Sequence, residues 1–337
     1  LESLATRKLD GNVCKNMHLL SGELWPIPIN FDVSEKFLKE IKLGEEISLK
    51  DQEGVTLAIL TVEDIWRPDK KFEAENIYGS NDLKHPGVNF LHRKTGPIYL
   101  GGRVIGLHKP TFYDFKKLRN TPNELRKIFN KLGWSKVVAF QTRNPLHRAH
   151  YELTSRASEQ TQSNLLLHPV VGMTKPGDID HFTRVRCYEA IIKHYPKSTT
   201  ALSLLNLAMR MAGPREALLH GLIRANYGCS HFIIGRDHAG PGYKSNGNPY
   251  YEPYAAQDLF QRHQDKINIK LVKFQNYVYI EDKAEFKAID QVPKGTKILE
   301  ISGTELRRRL NNDLPIPDWF SFPEVIRELK RSRPPKP

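Results

Sequence analysis

From Lys136 to Phe274, short apolar runs alternate with amphipathic segments, and this alternation constrains the fold more than any other feature of the chain. "KVVAF" (136–140), "NLLLHPVVG" (164–172), "ALSLLNLAM" (201–209), "CSHFIIG" (229–235) and "NIKLVKF" (268–274) read as strands. Between them "PLHRAHYELTSRASEQ" (145–160), "DIDHFTRVRCYEAIIKHY" (178–195) and "PREALLHGLIRANYG" (214–228) read as helices. Strands separated by helices return in the same direction, so the expected core is a parallel sheet covered by helices.

Ahead of this region, residues 20–112 hold β-type runs broken by Asp51-Gln52-Glu53-Gly54 and Gly101-Gly102, which read as turns. Thr121-Pro122 opens a helix with Leu125, Ile128, Phe129 and Leu132 at helical spacing, and Gly133 ends it. The tail, "LEISGTELRRRL" and "PDWFSFPEVIRELKRS", reads as a small helical appendix, and "RPPKP" (333–337) as a linker in a chain cut from something longer. The division expected is a β-rich domain over 1–113, a catalytic α/β domain over 114–273 and a small subdomain over 274–337.

No apolar run reaches the ~18 residues of a membrane span, and the N-terminus has no apolar signal core. Cys14, Cys187 and Cys229 are far apart and show no zinc-ligand spacing, so a cytoplasmic protein without a structural metal is expected. The net charge of +13 leaves two classes open, a nucleic-acid binder and an enzyme acting on small anions.

In "VVAFQTRNPLHRAHYEL" (137–153), Gln141 to Asn144 follow a strand, at the end of a parallel sheet where ligands bind. Pro145 reads as the helix start and Asn144 as its cap, which would offer free N–H groups to an anion. His147 and His150, at i and i+3, share a helix face and can aim two N–H donors at a phosphate chain. Arg143 adds a fork suited to tetrahedral oxyanions. HxxH by itself also fits two structural histidines. After the strand "FIIG", Gly235 permits close backbone approach to a ligand, and Arg236, Asp237 and His238 bring polar groups; a plain charged turn fits as well. Ser302, Thr304 and Arg307 sit at a helix start, where Ser302 and Glu305 also have capping-box spacing.

QTRNPLHRAH (141–150), TKPGDIDHFTRVR (174–186), MAGPREA (211–217), GRDHAGP (235–241) and ISGTELRRRL (301–310) together resemble ATP sulfurylase (sulfate adenylyltransferase). The likeness runs from "LWPIPI" to the tail. It implies a β-rich PUA-like N-terminal domain and a Rossmann-like nucleotidyltransferase domain. It also implies formation of adenylyl sulfate and pyrophosphate from sulfate and ATP, with Mg²⁺ carried in as MgATP. By the same resemblance Gln141, Arg143 and the Ala239 N–H bind sulfate, and Thr142, Arg143 and Asn144 are active-site residues. His147 and His150 stabilise the transition state, and Gly235 to His238 lie along the nucleotide. Phe274 is linked to ATP-induced change, Tyr277 contacts the nucleotide, and Ser302, Thr304 and Arg307 form a second nucleotide signature. A homo-oligomer without nucleic-acid or membrane partners is implied. The family's "GGFSPL"-type stretch is missing, and the jump within "RKLDGNVCKNM" reads as shortened sequence. No GxxxxGK[ST] loop occurs, so no kinase activity is expected. Two alternatives stand beside this reading: another adenylyltransferase of the same superfamily, and a non-catalytic basic nucleotide- or nucleic-acid-binding protein.

Overall fold

Five strands of the alternating region form one sheet in the computed structural model, which describes residues 3–331. In chain order this part reads α5 (Pro122–Lys131), β7 (Val137–Phe140), α6 (Arg148–Thr161), β8 (Asn164–Leu167), α7 (His181–Ile191), β9 (Thr200–Leu202), α8 (Gly213–Asn226), β10 (His231–Ile234), α9 (Ala255–Arg262) and β11 (Lys270–Lys273). Every pairing among these strands is parallel, in the order β11-β10-β7-β8-β9. The chain therefore starts in the middle, winds outward to β9, then returns to the other side of β7. This is the doubly wound order, and its switch point lies between β7 and β10. Burial is continuous along β7, β8 and β10 rather than alternating, as expected of a sheet covered on both faces. The run 201–209 is strand only at its start; beyond Leu202 one bridge, Val170 to Leu205, prolongs the pairing.

Thr121 caps α5 in a full capping box with Glu124, and Gly133 takes a left-handed φ of 69° just after it. Beyond β11 come β12 (Tyr277–Ile280), β13 (Glu285–Ala288) and β14 (Ile298–Leu299) in the order β13-β12-β14, then α10 (Gly303–Asn311) and α11 (Pro323–Arg331). The helical tail is present, and a small antiparallel sheet that the sequence reading omitted precedes it. The linker reading of 333–337 falls outside the described residues.

The N-terminal region contains β1 (Ser3–Leu4), α1 (Arg7–Asn16), β2 (Phe31–Val33), α2 (Glu35–Leu38), β3 (Glu46–Lys50), β4 (Thr56–Thr61), β5 (Asp64–Trp66), α3 (Lys70–Tyr78), α4 (Pro86–Arg93) and β6 (Ile98–Gly106). Its sheet closes on Leu4, Val33, Leu60, Val62, Ile98 and Leu100, all buried. The turn expected at 51–54 joins β3 to β4, with the Asp51 carboxylate accepting from the Glu53 and Val55 amides at 3.0 and 2.9 Å. Gly101-Gly102 is a correction, because this pair is no turn and lies inside β6, which pairs with β1, β2, β4 and β5. A Cβ at Gly101 would sit 2.3 Å from the Ala5 carbonyl oxygen, and one at Gly102 1.9 Å from that of Thr61. The glycines let backbones cross where side chains cannot fit.

By internal packing the chain forms two compact units. One comprises 1–116 with 210–220 and 239–252; the other comprises 117–209, 221–238 and 253–337. The first thus draws on two segments far along the chain, which no contiguous division by sequence represents.

Candidate active site

The loops after β7 and β10 leave the carboxyl ends of the two strands that flank the switch point. Phe232 pairs with Ala139 in register, so both strands end at nearly the same level. The two most informative sequence segments, 141–150 and 235–238, therefore arise from neighbouring strand ends for a topological reason.

The loop after β7 is held from below. Thr142 Oγ1 accepts from the Asn144 amide and donates to the Asn144 carbonyl, both at 3.0 Å. Arg184, buried in α7, donates to the carbonyls of Arg143 (3.1 Å) and Val170 (3.0 Å). Tyr188, one turn further, donates to the Asn144 carbonyl at 3.0 Å. Gln141 is buried; its Nε2 lies 3.9 Å from the Met209 sulfur, and its Oε1 has no hydrogen-bond partner. An orphaned amide oxygen at the end of a central strand costs free energy unless a water or ligand meets it.

Arg143 is not idle. Its Nη1 donates to both carboxylate oxygens of Asp178, at 2.6 and 2.7 Å. Burial first, then Arg143, push the Lys175 ammonium below its ordinary value, with Arg307 adding and Asp178 opposing. Arg143 and Arg307 thus both act on the Lys175 charge, and Asp178 opposes them. Sequence reasoning gave roles to Arg143 and Arg307, quoted Lys175, Asp178 and Arg184 only inside TKPGDIDHFTRVR without a role, and passed over Tyr188. The signal for a role was in "TKPGD", a Pro/Gly loop that follows the neighbouring strand β8.

Helix α6 begins at Arg148, with His147 as its cap residue, so Pro145 as helix start and Asn144 as cap are corrected. The free-amide expectation changes with it. The His147 amide donates to His150 Nδ1 (3.1 Å), the Arg148 amide to the Phe320 carbonyl (3.1 Å) and the His150 amide to the His147 carbonyl (3.0 Å). HxxH has the spacing of a capping box, and His150 fills the place where Glu or Gln reaches back to the cap residue. With those three amides engaged, the imidazoles become the side-chain donors that this helix start can offer an anion. His147 Nδ1 meets Ser321 Oγ at 2.8 Å, and its ring lies 4.5 Å from Phe320.

Burial pushes the His147 imidazole down to about 3, helped by His150, and burial pushes His150 down to about 4. Both rings are neutral at pH 7, and the permanent positive charge of the 141–147 loop is that of Arg143. A consequence for stability follows. A group whose folded value lies below the unfolded ~6.5 binds its proton first in the unfolded chain, so stability falls as pH drops through 6.5 toward the folded value. Between pH 7 and pH 5, His147 should account for about 2 kcal/mol of lost stability. Urea melts of wild type and His147→Asn at both pH values measure this. The wild type should lose about 2 kcal/mol more than the variant; equal losses would mean that His147 titrates normally.

The remaining predicted residues are less concentrated. A Cβ at Gly235 would meet open space, and Asp237 has a left-handed φ of 53°. Arg236 Nε lies 3.2 Å from the Asp237 carboxylate, and His238 packs edge-on against Phe232 at 5.6 Å. Ala239, also left-handed with φ 54°, belongs to the other compact unit. Gln257 Nε2 ties the ends of β10 and β11 by donating to the carbonyls of Ile234 (2.8 Å) and Phe274 (2.9 Å). Phe274 is buried, and Tyr277 packs 5.9 Å from it with the Arg156 guanidinium 5.5 Å over its ring. Arg156 is six residues beyond His150, ~9 Å along the helix, so this contact does not bring Tyr277 to the histidines. Ser302 caps α10 by accepting from the Glu305 amide at 3.1 Å, while Glu305 pairs with Arg308 and Arg309 instead of completing a box. Thr304 accepts from Arg307 at 3.3 Å. A cavity of about 400 Å³ bordered by Tyr151, Arg156, Tyr279, Phe286 and Trp319 lies off this constellation; neither Arg143 nor the two histidines line it.

The ATP-sulfurylase family model matches residues 116–332, and a PUA-like domain model matches 6–109. A sulfate adenylyltransferase of Gibberella zeae is 52% identical over 337 residues, covering 99% of this chain and 59% of that protein. One from Schizosaccharomyces pombe is 54% identical over 327 residues, covering 96% of this chain and 67% of that protein. A solved structure, "Hexameric APS kinase from Thiobacillus denitrificans", superposes with a TM-score of 0.79 at 34% identity, over 99% of this chain and 59% of that one. The chain spans about three fifths of the length of the curated relatives it matches from Gibberella zeae, Aspergillus fumigatus and Aspergillus clavatus. With matches over both regions and about half of all positions identical to curated relatives, the chain belongs to the ATP-sulfurylase family.

Proposed function

We propose that the chain is a sulfate adenylyltransferase, converting ATP and sulfate to adenylyl sulfate and pyrophosphate. The observation that carries this is that the segment holding Gln141, Arg143, His147 and His150 leaves the carboxyl end of β7 at the switch point of a doubly wound sheet, next to the strand β10 from which the 235–238 loop leaves. A sulfate oxygen attacks the α-phosphorus in line, the bond to the β-phosphate bridging oxygen breaks, and pyrophosphate leaves with that electron pair. Sulfate is already a dianion, so no general base is required. What the site must do is bring two anions together and meet the charge that builds on the phosphoryl oxygens. Arg143 and Gln141 serve the sulfate. Thr142 and Asn144 shape the loop, the two histidines donate to the phosphates, and the 235–238 loop follows the nucleotide. Tyr277, Ser302, Thr304 and Arg307 complete the nucleotide side, and Phe274 takes part in the change that ATP induces.

Mg²⁺ enters as part of the MgATP substrate. Mg²⁺ is held there by the phosphate oxygens it travels with. No helix among the described residues is long and apolar enough to cross a membrane, and a cytoplasmic enzyme fits the free, buried cysteines. The solved neighbour is named as hexameric, which supports a homo-oligomer here. Its kinase activity is not carried over, because residues 1–337 contain no phosphate loop.

The test is formation of ATP from adenylyl sulfate and pyrophosphate, with sulfate-dependent pyrophosphate release from ATP in the forward direction and chlorate as competitor. Pyrophosphate release that ignores sulfate but responds to a phosphorylated or carboxylate acceptor would move the chain to another adenylyltransferase. A folded chain that binds nucleotide and turns over nothing would remove the enzyme reading.

A further inference from the structure

Each of the two histidines has a partner on Nδ1, and the partners differ in what they allow. At His150 the partner is the backbone amide of His147, 3.1 Å away. An amide N–H can only donate, so His150 Nδ1 is a bare acceptor and the ring's proton sits on Nε2. That leaves His150 with an N–H to offer an anion. At His147 the partner is the Ser321 hydroxyl, 2.8 Å away, which can donate or accept. A neutral imidazole facing a phosphate oxygen must present N–H, since a lone pair there would repel it. The hydroxyl must then donate to Nδ1.

Resting on the adenylyltransferase reading, we infer that Ser321 is a positioning residue for His147, its hydroxyl holding the imidazole in the Nε2–H tautomer that can donate to the phosphates. The surrounding geometry makes Ser321 a fixed partner. Ser321 is 2% exposed and His147 8%, so water competes little for the bond. Phe320 lies against the His147 ring at 4.5 Å, limiting its rotation. The segment is fastened to the start of α6 by its neighbours. The Arg148 amide donates to the Phe320 carbonyl at 3.1 Å, Arg148 Nε donates to the Asp318 carbonyl, and the Arg148 guanidinium covers the Phe322 ring at 4.3 Å. Phe322 also stacks on His194 at 4.0 Å. Residues 318–322, which the sequence reads only as part of a helical tail, therefore clamp the residue pair His147-Arg148. Such outer partners of a functional histidine fix its tautomer and ring orientation.

The test combines a spectrum that needs no activity with kinetics. In ¹⁵N-histidine-labelled chain, the His147 resonances are identified by their loss in His147→Asn. Wild type should show the Nε2–H form, Ser321→Thr should preserve it, and Ser321→Ala should shift or mix it. In sulfate-dependent turnover, Ser321→Ala should lower kcat about tenfold with KM for ATP within about twofold, as expected for one lost hydrogen bond. Ser321→Thr should retain most of kcat. In a His147→Asn background Ser321→Ala should cost nothing further, because its effect runs through the ring. The inference is overturned if wild-type His147 carries its proton on Nδ1, if Ser321→Ala leaves tautomer and kcat unchanged, or if its effect persists without His147. Should Ser321→Ala not fold, the proton position in wild type decides. A wild-type chain without sulfate-dependent turnover would defeat the adenylyltransferase reading, while the spectrum would still decide the Ser321–His147 assignment.

Discussion

Arg143→Lys should lower sulfate-dependent turnover by about a hundredfold or more while ATP binding changes only a few-fold. The structure supplies the reason that charge alone is not enough. Arg143 already spends Nη1 on both oxygens of Asp178, at 2.6 and 2.7 Å. A guanidinium so held still has Nε and Nη2 to offer a tetrahedral oxyanion. A lysine in its place has one ammonium, and Asp178 would take it. The pair is largely out of water, at 16% and 8% side-chain exposure, so solvent does little to loosen it. Sulfate saturation kinetics beside equilibrium ATP binding make the measurement. Wild-type sulfate kinetics in the variant would take Arg143 out of the anion site.

His150→Ala should lower kcat about a hundredfold, roughly 3 kcal/mol, with a much smaller effect on ATP affinity. This loss combines with a structural one, because His150 Nδ1 also accepts from the His147 amide and helps to begin α6. Loss of such a cap costs about 1 kcal/mol of stability. His150→Gln separates the two effects. Glutamine is a natural partner at that position of a capping box and should keep the helix start, while its amide replaces the imidazole donor only in part. Single-turnover formation of adenylyl sulfate, read beside a melting curve for each variant, distinguishes them. If both variants match wild type once corrected for folded fraction, the histidines serve only to begin the helix.

The capping geometry shows where a sequence reading stops. The i, i+3 spacing placed both histidines at the start of one helix, and there they are. The same spacing describes two anion donors and a capping box, and periodicity cannot separate them. The structure has His150 doing the capping through one nitrogen, which leaves the other for a ligand. The start itself moved from Pro145 to Arg148, because the loop carbonyls of Arg143 and Asn144 are engaged by Arg184 and Tyr188, and the Arg148 amide by Phe320. Gly101-Gly102 failed in the same way. Two adjacent glycines signal a turn locally, whereas here they mark a strand crossed closely by the backbone near Ala5 and Thr61.

The sequence by itself determined the parallel sheet, since strands of about four residues separated by helices have no other economical pairing. It thereby determined that the loops at 141–150 and 235–238 leave the carboxyl ends of strands. It also determined which residue types those loops hold. Tertiary structure alone decided that β7 and β10 are neighbours at the switch point, that Arg143 is held by a carboxylate 35 residues away, and that His147 meets a hydroxyl 174 residues away. The physical reason is range. Propensity and periodicity act over a few residues, whereas the charge a site presents and the nitrogen a histidine exposes are set by whatever groups the fold packs against them.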